Sequence, residues 1–75
     1  MQWQEGVPRW TQIADELERR IRSGEYAAGE RVPSVMRIQD EFKVASATAQ
    51  KALSGLRNRG LTYTEPGLGS FVRGT

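Results

Sequence analysis

From Val32 to Val72 the chain carries, in order, a helix signal, a short turn, a second helix signal and a tight hairpin, and few folds accommodate that order. The first of these helices opens at Pro33-Ser34, where Ser34 is a good N-cap with a proline just ahead of it. Val35, Ile38 and Phe42 then fall on one face. Lys43-Val44-Ala45 is a turn, with Val44 expected between the helices. The next helix opens near Ser46 and ends at Gly60, which sits where a left-handed residue is wanted. Ala49, Ala52, Leu53 and Leu56 point one way along it, while Ala47, Gln50, Lys51 and Ser54 point the other. The small Ala49 and Ala52 allow a close helix approach, and the opposite row is polar and short, as a helix lying in a groove needs. Leu61 to Thr64 and Ser70 to Val72 read as strands around the turn signal Glu65-Pro66-Gly67-Leu68-Gly69.

Upstream, Met1 to Pro8 reads as a flexible arm. A helix is predicted from about Arg9 to Ser23, because Trp10, Ile13, Ala14, Leu17 and Ile21 repeat at three and four residues. Gly24 suits its C-terminal end, Glu25 to Glu30 is turn-rich, and Arg31-Val32 is short enough to add a strand to the hairpin. The fold class is therefore mainly α with a small β-hairpin. Three helices and a two- to three-stranded wing make a winged helix-turn-helix, one domain over residues 9–73 behind the arm at 1–8.

With 75 residues the chain is one small domain that buries about three-fifths of its unfolded surface. It has neither cysteine nor histidine, so disulfides, thiolate metal sites and the commonest general base are excluded. Asp15 with Glu18, and Asp40 with Glu41, read as helix-surface charge, and no catalytic residue, metal or cofactor is expected. The N-terminus is polar, so no signal peptide is visible, and no apolar run approaches the roughly twenty residues of a membrane span. A cytoplasmic home is the expectation. Net charge is +2, but it is uneven: residues 1–30 hold six acids and four bases, whereas residues 31–75 hold seven bases and three acids. Positive charge on the half with the two-helix signal is the footprint of a polyanion partner, and ordinary solvated surface charge is the plain alternative. Gly67-Leu68-Gly69 could be read as a phosphate-cradling loop, but it lacks a third glycine and a following helix. A turn needing positive φ explains it more simply.

Trp10-Thr11-Gln12-Ile13-Ala14, Ser23-Gly24-Glu25-Tyr26, Gly29-Glu30-Arg31-Val32-Pro33-Ser34 and Phe42-Lys43-Val44 recur in order with Thr48, Ala52-Leu53, Leu56, Gly60-Leu61 and Gly67-Leu68-Gly69-Ser70-Phe71-Val72. Together they resemble the N-terminal DNA-binding domain of the GntR (gluconate-operon repressor) family, over nearly the whole span from Arg9 to Arg73. The resemblance implies a third helix in the major groove and a wing tip at the minor groove. It also implies a following effector-binding or dimerisation domain. No small-molecule effector domain is visible here, where the sequence stops at Thr75, so a stand-alone regulator and an excised domain are both open.

Two departures from the family pattern bear on recognition. The usual arginine after Pro-Ser is replaced by Met36, with Arg37 one step later. A cation in that first turn faces the positive end of the helix dipole, at a cost of up to about 1 kcal/mol that a DNA phosphate would reverse. Arginines usual at the positions of Ser46 and Gln50 are also absent, and Ala45 replaces a capping serine or threonine. Ser46 is then the expected N-cap, in competition with base contact. Glutamine suits adenine, where arginine suits guanine.

The expected partner is double-stranded DNA, with a homodimer if the site is two-fold symmetric. Arg37, Lys43, Thr48 and Lys51 would meet phosphates, and Gln50, Ala47 and Ser46 would read bases. Gly67, Gly69 and Ser70 would supply the wing contact, with Arg73 close behind. Arg57 and Arg59 are expected to serve the helix dipole or distal phosphates. The alternative is a winged helix reused for protein contact, suggested by Trp3 and Trp10 and by the thin basic surface.

Overall fold

The computed structural model describes residues 2–74. Helix α1 spans Arg9–Arg22, α2 Val35–Phe42 and α3 Ser46–Asn58, followed by strands β1 Thr62–Glu65 and β2 Gly69–Val72. The apolar stripe of α1 turns inward as its spacing requires, and Ile13, Ala14 and Leu17 are fully buried. They meet Ile38 and Phe42 of α2 and Ala49, Ala52 and Leu56 of α3 in one core. Trp10, Ile21, Val35, Val44 and Leu53 pack around its edge.

Small residues decide how closely α3 lies against α1. Gly55 is buried, and a Cβ built on it would sit 3.0 Å from Trp10 Cζ3 and 3.6 Å from Ala14 Cβ. The close approach therefore runs through Gly55 as well as through Ala49 and Ala52. Leu53 differs from its expected place, since it is only half-buried. Both long helices end alike. The Gly24 N–H donates to the Ile21 carbonyl and the Glu25 N–H to that of Arg20; at α3, Gly60 and Leu61 repeat this with Arg57 and Leu56.

The strands form an antiparallel hairpin whose register runs from Thr62↔Val72 to Glu65↔Gly69. The added strand shrinks to one bridge, Arg31↔Phe71. Backbone bonds still hold it there, from Val32 N–H to the Ser70 carbonyl at 3.0 Å and from Val72 N–H to that of Glu30 at 2.9 Å.

The N-terminal segment, read above as a flexible arm, is docked in this structure. Gln12 is 8% exposed, and its amide is satisfied by that segment. Its Oε1 accepts from Gln4 N–H at 2.8 Å, while its Nε2 donates to the carbonyls of Gln4 and Val7 at 3.0 and 2.9 Å. Trp3 packs on the core with the Arg9 guanidinium 4.9 Å from its ring.

The outer face of α1 is an ion-pair lattice. Glu16 holds Arg19 and Arg20, each at 2.9 Å. Arg20 continues to Glu41 and to the Tyr26 hydroxyl, joining α1 to α2. Arg59 reaches Asp15 and Glu18, both at 2.9 Å, joining α3 to α1. The hydrogen bond from Arg19, opposed by desolvation and aided by Arg20, lowers the Glu16 carboxyl from 4.5 to about 2. A depressed carboxyl stabilises the fold fully above its unfolded value and loses that contribution as pH falls through the folded one. Stability is therefore expected to drop by about 1 kcal/mol from this group between about pH 5 and pH 2, a modest figure because Arg19 is well solvated. Urea midpoints across that range would measure it. Glu16→Gln should flatten the response, and an unchanged slope would remove Glu16 as its source.

Candidate nucleic-acid interface

A second surface is built by α3, the start of α2 and the hairpin. Ser46, Ala47, Gln50 and Lys51 are all exposed, as expected from their helical spacing, and Thr48 is half-buried. The capping expectation is corrected. Ala45 occupies the N-cap, with φ −72° and ψ 161° and no side-chain cap, so Ser46 is the first helical residue. Its position one residue inside the helix leaves its hydroxyl without a capping duty. The first amides of α3 have no side-chain cap, which suits an anionic partner.

At α2 the Ser34 hydroxyl does cap, accepting from Arg37 N–H at 3.2 Å. The Arg37 side chain is exposed and lines a concavity with Arg31, Glu30 and Glu41. Lys43 ends this helix with φ 56°, and its Nζ lies 3.6 Å from Asp40 Oδ1 with both side chains largely solvated. Met36 is 78% exposed. Lys51 leans toward α1, its Nζ 5.8 Å from the Trp10 ring.

In the wing, the Leu68 N–H donates to the Glu65 carbonyl at 2.9 Å across Pro66-Gly67. Proline followed by Gly67 at φ +79° is the pattern of a type II turn. Gly69 has φ +119°, and a Cβ there would sit 2.7 Å from Arg31 Nε. This glycine is thus required by its own backbone, whatever it approaches, while the exposed Arg31 side chain could move aside. Ser70 is half-buried with its Oγ 3.3 Å from Thr64 Oγ1, and Arg73 is exposed. The side chain at the tip is Leu68, 63% exposed.

Gln50, Ser54 and Arg57 of α3 share an open cleft of about 370 Å³ with Ser34, Thr64, Gly69 and Ser70. The structure thus brings Gln50, Gly69 and Ser70 together. Lys43 and Lys51 lie outside that cleft, as do Arg37, Gly67 and Arg73. Most of the cations fall into two groups. Arg19, Arg20, Arg22 and Arg59 all hold carboxylates. Among the described residues, Arg31, Arg37, Lys51, Arg57 and Arg73 have no carboxylate partner. Arg59 is therefore spent on α1 and does not point to distal phosphates. Trp3 and Trp10 both pack against the core and are half-buried.

Arg31 joined this surface without having been singled out for it, and Arg57, expected to serve the helix dipole or distal phosphates, reaches the hairpin instead. The signal for Arg31 was its place in the predicted extra strand. The contact of Arg57 with Thr64 has no local signal, because Thr64 lies on the hairpin strand β1. Among the described residues, no group of three or more acids could hold a metal ion, and no helix is long and apolar enough to cross a membrane.

Residues 10–72 match the family of bacterial regulatory proteins called gntR. The chain is 35% identical over 69 residues to the HTH-type transcriptional repressor NagR of Bacillus subtilis (strain 168), covering 92% of this chain and 28% of the repressor. It thus spans less than a third of that relative's length. Its structure is similar to that of a GntR family transcriptional regulator from Listeria monocytogenes, with a TM-score of 0.87 and 27% identity over 95% of this chain and 62% of the other. It is also similar to AraR(DBD) in complex with operator ORR3, with a TM-score of 0.85 and 26% identity over 96% of this chain and 87% of the other. The first two of these are named as transcription regulators. With a winged helix-turn-helix over the same span that the family match covers, the chain belongs to the gntR family of bacterial regulatory proteins.

Proposed function

We propose that this chain is the sequence-specific, double-stranded DNA-binding module of a cytoplasmic transcriptional repressor. The observation that carries this reading is a group of cations around α2, α3 and the wing: Arg31, Arg37, Lys51, Arg57 and Arg73 have no carboxylate partner among the described residues, whereas Arg19, Arg20, Arg22 and Arg59 are held by carboxylates that include Asp15, Glu16 and Glu18 of α1. In this reading α3 enters the major groove and the wing tip meets the neighbouring minor groove. Arg37, Lys43, Lys51 and Thr48 contact phosphates, joined by Arg31 and the uncapped amides of α3. Gln50 reads an adenine edge, Ala47 meets a thymine methyl, and Ser46 contributes a hydroxyl free of capping. Gly67, Gly69 and Ser70 bring the wing backbone close, with Arg73 behind. Two copies would bind a two-fold symmetric operator.

The test is selection of bound duplexes from a random pool, repeated with Gln50→Ala. The wild type should select a defined element. The variant should keep stability within about half a kcal/mol, because Gln50 is exposed. It should relax preference at one A·T position by about 1–3 kcal/mol. An unchanged selected sequence would remove Gln50 as a reader. Failure to select any duplex would sink the DNA reading in favour of protein contact.

A further inference from the structure

We infer that Arg57 is a positioning residue that ties the wing to α3 and sets the spacing between recognition helix and hairpin tip, without itself contacting phosphate. The inference rests on the DNA-binding reading for its consequence, but not for its structural content. Arg57 lies in the last turn of α3. Its Nη1 donates to Thr64 Oγ1 at 3.2 Å and its Nη2 to Ser54 Oγ at 3.4 Å. Thr64 Oγ1 lies 3.3 Å from Ser70 Oγ. Since Thr64 accepts from the guanidinium, its own proton is free to donate to Ser70. One side chain thus reaches β1 directly and β2 through a single hydroxyl.

The base of the hairpin needs no such link. Thr62 and Val72 are buried, and Arg73 N–H donates to the Leu61 carbonyl at 3.0 Å. The outer half stands across the open cleft. Among the described residues, the bond from Arg57 to Thr64 is the only side-chain hydrogen bond between α3 and the hairpin. A planar fork can hold Ser54 and Thr64 at once, whereas a lysine ammonium on a flexible stem is poorly suited to both. A positive charge at the C-terminal end of α3 also meets the helix dipole favourably. Holding the wing at one spacing before DNA arrives removes an ordering cost on binding.

The experiment compares Arg57→Ala, Arg57→Lys and Thr64→Val in two arms. In the free protein, backbone ¹⁵N order parameters for residues 64–70 should fall in all three variants, with α3 and the melting temperature unchanged. On duplex DNA, Kd should rise about fivefold, the worth of roughly one hydrogen bond, with no change in the salt slope. Thr64→Val alters no charge, so it should match Arg57→Ala, and the double variant should be no worse than either single one. Unchanged order parameters in Arg57→Ala would overturn the inference. So would a salt slope about 0.9 shallower in Arg57→Ala together with full affinity in Arg57→Lys, since that pattern marks a phosphate contact. If the wild type failed to bind any duplex, the DNA reading would fall, and the order parameters would still decide whether Arg57 holds the wing.

Discussion

Raising the salt from about 50 to about 200 mM is expected to weaken duplex binding about a hundredfold. Each phosphate that a cation neutralises releases condensed counterion, so log Kd rises linearly with log salt. The structure allows the contacts to be chosen. Arg31, Arg37, Lys51 and Arg73 lack carboxylate partners among the described residues and lie around α2, α3 and the wing. About four contacts make log affinity fall with log salt at a slope near −4. The seven arginine–carboxylate pairs among the described residues do not enter it, because those cations already have counter-charges. Single substitutions refine the count: Arg37→Ala should make the slope shallower by about 0.9, and Arg22→Ala should leave it unchanged. A flat salt response, or no binding at low salt, would overturn the electrostatic reading and favour protein contact.

The largest expected loss of stability comes from Leu56→Ala, at about 2–5 kcal/mol. Leu56 is fully buried between α1 and α2, among Ile13, Leu17, Ile38 and Phe42. Removing its branched end leaves a cavity that three short helices with so small a core cannot close. Leu53 occupies a similar place in the helical pattern, but it is half-buried at the cleft, so Leu53→Ala should cost less. Thermal and urea unfolding of the two variants would measure the difference. DNA binding by Leu56→Ala should recover fully once the temperature is low enough to refold it. If Leu53→Ala proved the costlier of the two, the core as described would be wrong.

The helical periods were legible because each stripe had a single buried side. Trp10 to Ile21 repeated clearly enough to place α1, and Gly24 and Gly60 marked two ends that the structure keeps. Ser34 was readable as a cap because its partner, the Arg37 amide, lies only three residues away. Ser46 was misread by one position. The cap rule looks for a side-chain oxygen, yet Ala45 takes the N-cap conformation without one, and the helix is held by packing of Ala49, Ala52 and Leu56 instead. The docking of the arm was not legible because Gln12 looked like any polar helix residue until the backbone of Gln4 and Val7 folded over it.

The candidate interface divides along the same line. Exposure of Ala47, Gln50 and Lys51 followed from helical spacing alone. Which cations remain available did not, because an ion pair such as Arg59–Asp15 joins residues far apart in the chain.

The amino-acid sequence by itself determined the three helices, their order, the turn at Pro66-Gly67 and the row of α3 that faces outward. These depend on local periodicity, caps and turn chemistry, which act over a few residues. Only the tertiary structure decided that Gly55 seats Trp10, that Gly69 lies under Arg31, that Arg59 is neutralised and that Arg57 spans the cleft to Thr64. Each of these depends on where one element comes to rest against another, and that is settled by packing around the shared core.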